Sequence, residues 1–243
     1  MTDTKIPMPN VVSEAEWRAQ RVKLLEEEKA HTKEKDRINA ARRRLPMVKV
    51  DKEYEFDTTD GKKSLRELFE GKRQLVVYHF MFAPDWEKGC PGCTSYVDAL
   101  GDMSDLPKRN TTLVVISRAP LDKLQAYKQK HGWDINWVSA GDGDFNYDFH
   151  ATLDESRAPI DWNYRTKEEW EAKGMSAERL KGEQPGISVF FNDGDNIYFT
   201  YSSHARGVEN ATDSYALLDL TPYGRQEDFE DSPEGWPQKP TYG

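Results

Sequence analysis

The chain has 243 residues, 37% hydrophobic and 12% aromatic, enough for one sizeable core with an accessory segment or at most two small domains, and too rich in apolar residues for global disorder. Its 34 Lys and Arg against 43 Asp and Glu give a formal charge of −9, which argues against a general polyanion-binding surface and leaves nucleic acid out of the expected partners. Its two cysteines, Cys90 and Cys93, are too few for a secreted disulfide scaffold or a four-cysteine zinc site.

The opening MTDTKIPMPN carries no secretory pattern, and no apolar run reaches the ~18 residues of a membrane span, so the expectation is a soluble cytoplasmic protein with no membrane partner. Ser13 with Glu16 three residues on forms a capping box, which starts a long polar helix over about 14–44. Trp17, Leu24, Leu25 and Ile38 are its sparse apolar positions, so it lies along a narrow stripe against the body or a partner. Pairs such as Glu14 with Arg18, Glu26 with Lys29 and Glu34 with Arg37 contribute only ~0.2–0.5 kcal/mol each. Arg42, Arg43 and Arg44 end the helix before Leu45-Pro46, either as a solvated terminus or as an anion or partner site.

Met47–Val50 and Tyr54–Phe56 read as short strands, followed by a turn at Asp60-Gly61 and a short helix from Ser64 to Glu70. Gln74–Phe82 is a nearly continuous apolar run suited to a central strand covered on both faces. Thr112–Ser117 is a second central strand, with a helix over Pro120–Gln129 behind it, and 91–106 is long enough to cross over between the two strands in a parallel α/β unit. Trp133–Ser139 is a further strand, 141–148 a polar loop, and 155–182 an insertion or lid of little strand character with one helix near Thr166–Lys173. Ile187–Phe191 and Asn196–Tyr201, joined by the turn Asn192-Asp-Gly-Asp195, form a closing antiparallel hairpin. From about Arg225 the chain is acidic and rich in Gly and Pro.

Chemistry concentrates at Cys90-Pro-Gly-Cys93, eight residues beyond the apolar run. A helix starting near Pro91 would aim free N–H groups at Cys90 and favour its thiolate, leaving Cys93 one turn on, able to attack a mixed disulfide formed at Cys90. The pair reads as a redox centre, with half of a metal site or an unreactive pair as alternatives. His79 lies within the central strand and is favoured as a structural histidine over a redox or metal role. His31, His131, His150 and His204 have no ligand spacing, so no metal or cofactor is called for. Trp86 either covers the reactive sulfur or packs on the sheet end; Asp85 either tunes a thiol or caps a turn. Pro185, before the hairpin, reads from its residues alone as a plain turn. Asp142, Asp144 and Asn146 begin like a calcium loop, but Tyr147 stands where glycine is required and Leu153 where the bidentate glutamate belongs. No glycine-rich phosphate loop is present.

The run Val77-Tyr-His-Phe-Met-Phe-Ala-Pro-Asp-Trp-Glu-Lys-Gly-Cys-Pro-Gly-Cys93, with Pro185-Gly-Ile-Ser-Val-Phe190 and Tyr223-Gly-Arg225, resembles a bacterial and fungal family of thioredoxin-like proteins catalogued as domain of unknown function number 899. The resemblance covers nearly the whole chain. It implies an α/β thioredoxin-like fold, a central mixed sheet flanked by helices, with an N-terminal helical extension (1–46), the main domain (47–224) carrying the 155–182 insertion, and a tail (225–243). It further implies that Cys90 attacks, Cys93 resolves, and Pro185 follows a cis bond beside the pair. The sequence departs from thioredoxin in having Gly89 where tryptophan precedes the first cysteine, and Pro91-Gly92 in reversed order. It departs from the peroxiredoxins, another branch of that fold, in having Glu87 for their threonine and Pro84 six residues before Cys90 instead of seven.

These readings converge on a thiol-disulfide oxidoreductase or thiol-dependent reductase. Its expected partners are a protein or small-molecule disulfide or oxidant and an external thiol reductant, with the oligomeric state left open. The competing reading is a non-enzymatic interaction protein on the same scaffold.

Overall fold

Every second residue of the Gln74–His79 strand is fully buried, and its two faces serve two different cores. The computed structural model that shows this describes residues 8–223, 226–228, 230–236 and 238. Gly224 and Arg225 of the family element at Tyr223, and parts of the tail, lie outside these.

In chain order the elements are α1 (Glu14–Arg42), β1 (Val48–Lys49), β2 (Glu55–Thr58), β3 (Gly61–Ser64), a 3₁₀ turn at Glu67–Phe69, β4 (Gln74–His79), α2 (Pro91–Asp98), α3 (Asp105–Lys108), β5 (Thr111–Ser117), α4 (Leu121–His131), β6 (Trp137–Ser139) and α5 (Phe145–Asp148). There follow β7 (Thr152–Leu153), β8 (Asp161–Trp162), β9 (Arg165–Thr166), α6 (Lys167–Glu171), β10 (Gly182–Glu183), β11 (Gly186–Asn192), β12 (Ile197–His204), a 3₁₀ stretch at Ala205–Ala211 and α7 (Asp213–Leu218). The described residues divide into two compact units: 47–216 form one, and those before 47 and after 216 the other.

In the larger unit, an eight-stranded sheet has the order β1-β12-β11-β4-β5-β6-β2-β3. β4, β5 and β6 run parallel, as the crossover through α2 and α3 and that through α4 require; β11 runs antiparallel to both β4 and β12. Leu75 and Val77 face a core with Phe56, Phe69, Val114, Ile116, Phe145 and Phe190. Tyr78 faces the opposite core, with Phe80, Phe82, Val97, Leu124 and Trp137. This is a thioredoxin-like mixed sheet with helices against it.

Several local expectations change. The helix expected over Ser64–Glu70 is one 3₁₀ turn preceded by a strand, because Gly61–Ser64 pairs with β2 through Glu55↔Ser64 to Thr58↔Gly61. The central strand stops at His79 instead of Phe82, and the strand expected over Trp133–Ser139 is confined to Trp137–Ser139. The polar loop at 141–148 holds the short helix α5, held by burial of Phe145. The insertion does contain strands. β8 and β9 form a hairpin whose two turn residues, Asn163 and Tyr164, both take positive φ (50° and 60°), the requirement of a tight twisted turn that Asn-Tyr advertises poorly. Leu153, Ile160, Trp162 and Leu180 give it a core of its own, and β7 pairs with β10 at its root.

α1 begins at the expected capping box, in which Glu16 N–H donates to Ser13 Oγ (3.3 Å) and the Glu16 carboxylate accepts from Ser13 N–H (3.0 Å). Arg37 pairs with Glu34, and Arg21 reaches Glu28 two turns away at 2.7 Å. No residue of α1 is buried.

Candidate active site

After His79 the chain leaves the sheet, loops outward, and returns over its own exit. Lys123 of α4 ties the loop by donating to the carbonyls of Pro84 and Trp86, each at 2.8 Å. On the return, Cys90 N–H donates to Met81 C=O (3.0 Å), and Met81 N–H donates to Cys93 Sγ (3.4 Å). The crossing is tight at Gly89, where a Cβ would lie 2.6 Å from the Phe80 ring. Tryptophan has no room there, which accounts for the departure from thioredoxin at this position.

Cys90 is the N-cap of α2 and Pro91 its first residue, where a missing N–H costs nothing. Cys90 is half-buried, and the groups that favour its thiolate are the Cys93 thiol and the backbone N–H groups of Cys93 and Gly92 at the start of α2. Together, the Cys93 thiol first, they outweigh burial and lower the Cys90 pKa from 9.0 to about 6. Cys93 is 2% exposed, and burial, reinforced by Cys90, pushes its thiol well above the usual value. Tyr78 and the Met81 N–H, which donates to the Cys93 sulfur, act in the opposite direction. The site therefore holds one acidic, accessible thiol and one buried thiol kept protonated.

Tyr78 is the member of this site that sequence reasoning passed over in favour of its neighbour. It stacks on Tyr96 of α2 (centroids 4.0 Å apart, 15° between planes) and meets Cys93 from the strand side. His79, one residue on, points through the sheet to the other core. There its Nε2 pairs with Ser188 Oγ (2.9 Å), its ring lies against Phe145, and burial lowers its pKa to about 3. It is a neutral histidine on the face away from the cysteines. Strand alternation carries the signal that separates the two, once the face bearing α2 is known.

Trp86 packs against the cluster that contains Cys90, Cys93 and Met81, whereas Asp85 is exposed and is not among the groups acting on either sulfur. The Gln184–Pro185 bond is trans, which overturns the cis expectation. Glu183 is already paired with β7, the Gln184 N–H donates to Ala151 C=O (2.8 Å), and Gly186 pairs at once with His79 and His204. The chain thus passes straight from one ladder to the next, and no sharp turn is needed. Pro185 remains half-buried at the end of the sheet where β4 runs out.

His79 and one of the scattered histidines, His204, flank Gly186, and burial also lowers the His204 pKa, to about 4. Among the described residues no three His, Cys, Asp or Glu side chains gather as a metal ion would require, and no helix is long and apolar enough to cross a membrane.

A thioredoxin-like sheet with a Cys-Pro-Gly-Cys pair opening the helix after its central strand defines the class. The chain belongs to the family described as bacterial protein of unknown function (DUF899), whose model it matches over residues 6–242. No curated protein matches the sequence. Among solved structures, it is similar to peroxidoxin BcpB from Mycobacterium tuberculosis (14% identity, 69% of this chain and 92% of that one, TM-score 0.46). It is also similar to peroxiredoxin Q from Xanthomonas campestris (16%, 65% and 84%, 0.44) and thioredoxin peroxidase I from Plasmodium yoelii (13%, 69% and 81%, 0.41).

Proposed function

We propose that the protein is a thiol-disulfide oxidoreductase in which Cys90 attacks and Cys93 resolves. The observation that carries this is the asymmetry of the pair: a half-exposed sulfur with its pKa lowered to about 6 at a helix N-terminus, one turn from a buried sulfur whose proton is retained. The Cys90 thiolate displaces one sulfur of a substrate disulfide, forming a Cys90–substrate mixed disulfide and releasing a substrate thiolate. Cys93 then passes its proton to the released substrate thiolate and attacks the Cys90 sulfur, which forms the Cys90–Cys93 disulfide and expels the second substrate thiolate. An external dithiol restores the pair by the reverse exchange. Tyr78, which acts on Cys93 from the strand side to lower its pKa, favours the thiolate that the second step needs. The reading sets the protein in the cytoplasm, supported by cysteine usage confined to this pair.

The test is reduction of insulin or a small aromatic disulfide with dithiothreitol as electron source. Turnover by the wild type, its loss in Cys90→Ser, and trapping of a mixed disulfide in Cys93→Ser are expected. A Cys90→Ser variant indistinguishable from wild type in these assays would end the redox assignment.

A further inference from the structure

α1 is a 29-residue helix without a single buried residue, although helices of this kind ordinarily draw their stability from a packed face. Besides Val22 and Leu25, its exposed apolar residues are ordered. Trp17, Leu24, Ile38 and, just past the helix end, Leu45 stand 59%, 50%, 42% and 49% exposed. With the exposed His31 they recur at a strict seven-residue interval, 17, 24, 31, 38, 45. On a straight helix such a row drifts by only ~20° per step, a shallow path that a second helix follows by gentle left-handed supercoiling. The row is also symmetric about its middle: Trp17 and Leu45 are equidistant from His31, as are Leu24 and Ile38.

Charge sets the direction of the second helix. Residues 14–28 hold five acidic and three basic side chains, and residues 29–44 hold seven basic and two acidic. Two parallel copies would place the strongly basic halves side by side. Two antiparallel copies set each basic half against an acidic-leaning one, bring Glu27 of one beside Lys35 of the other, and oppose the helix dipoles.

We propose that α1 is a self-association surface, occupied by α1 of a second copy of this chain in an antiparallel, two-fold arrangement centred on His31. Trp17 then packs on Leu45 of the second copy and Leu24 on its Ile38. Each contact occurs twice, as an isologous interface requires, and the helical part of the row, Trp17 to Ile38, covers ~32 Å.

Sedimentation of the full chain at micromolar concentration tests the interface, and cross-linking tests its geometry. The wild type should sediment as a dimer. Leu24→Lys with Ile38→Lys should sediment as a monomer with unchanged helical circular dichroism, and Leu25→Lys, ~100° off the row, should remain dimeric. In a Cys90→Ser, Cys93→Ser background, His31→Cys should give an oxidised covalent dimer and Trp17→Cys should not. A monomeric wild type, a double-lysine variant that stays dimeric, cross-linking through Trp17→Cys, or none through His31→Cys would each overturn the proposal.

Discussion

At the scale of single residues, the chemistry rests on two sulfurs that share one helical turn and differ in solvent access. Because the Cys90 pKa falls from 9.0 to about 6, the thiolate should dominate at pH 7, and its alkylation rate should level off above that. Cys93→Ala removes the largest of the groups that lower it, so the labelling midpoint should move upward. The linkage has a definite sign. A group whose pKa is depressed by folding contributes stability above its unfolded value, and that contribution is lost as pH falls through the folded value. Under reducing conditions, the difference in urea unfolding free energy between wild type and Cys90→Ser should therefore grow from pH 6 to pH 9. A labelling midpoint that stays near the ordinary thiol value would contradict the geometry.

At the scale of elements, the reactive pair is positioned by a strand that ends early and a helix that starts where its proline allows. The close crossing of Gly89 over Phe80 joins them. Gly89→Ala should cost about 1–3 kcal/mol, the range for overpacking a filled core, because the Phe80 ring is fully buried and has little room to move. In a Phe80→Leu background the same substitution should cost less. A double-mutant cycle by denaturant unfolding measures that coupling, and additive effects would show that the contact does not hold the loop. Helix α1 is the element most fully legible in the sequence, since its capping box and proline stop are local. The β8–β9 hairpin was hidden, because Asn163-Tyr164 adopts a backbone that Asn-Gly ordinarily announces and because its strands are two residues each.

At the scale of the larger unit, the root of the insertion is tied to the sheet by a buried ion pair. Arg118, just past β5, meets Glu183 of β10 at 3.1 Å, and Thr152 donates to the other carboxylate oxygen at 2.9 Å. Arg118 also lies over the Tyr147 ring, 4.8 Å from its centroid. Burial raises the Glu183 pKa even so, with Thr152 and Arg118 pulling it back. Arg118→Met leaves this carboxylate buried without its cation and should destabilise by about 3–5 kcal/mol near neutral pH. The loss should shrink toward pH 5, where protonation neutralises the stranded carboxyl, because removing Arg118 raises the folded pKa further while the unfolded one stays put. Urea unfolding of both proteins at pH 5 and pH 8 checks this; a loss independent of pH would show that Arg118 acts by packing alone.

What the sequence by itself determined was set by neighbours along the chain. The limits of α1 followed from Ser13, Glu16 and Pro46. The placement of β4 and β5 followed from unbroken apolar runs, and the redox pair at a helix start from Cys90-Pro91 and the length of the loop before it. Tertiary structure decided what depends on distant partners. The face that receives α2 made Tyr78, and not His79, the neighbour of Cys93. Ladders to β7, β4 and β12 carried the backbone through a trans Pro185 where the family resemblance implied a sharp cis turn. Phe80, nine residues away, explains why position 89 has no side chain. Such outcomes are settled by which surfaces meet, and hydrogen-bond pairing and steric contact across the sheet carry no signature within a short stretch of residues.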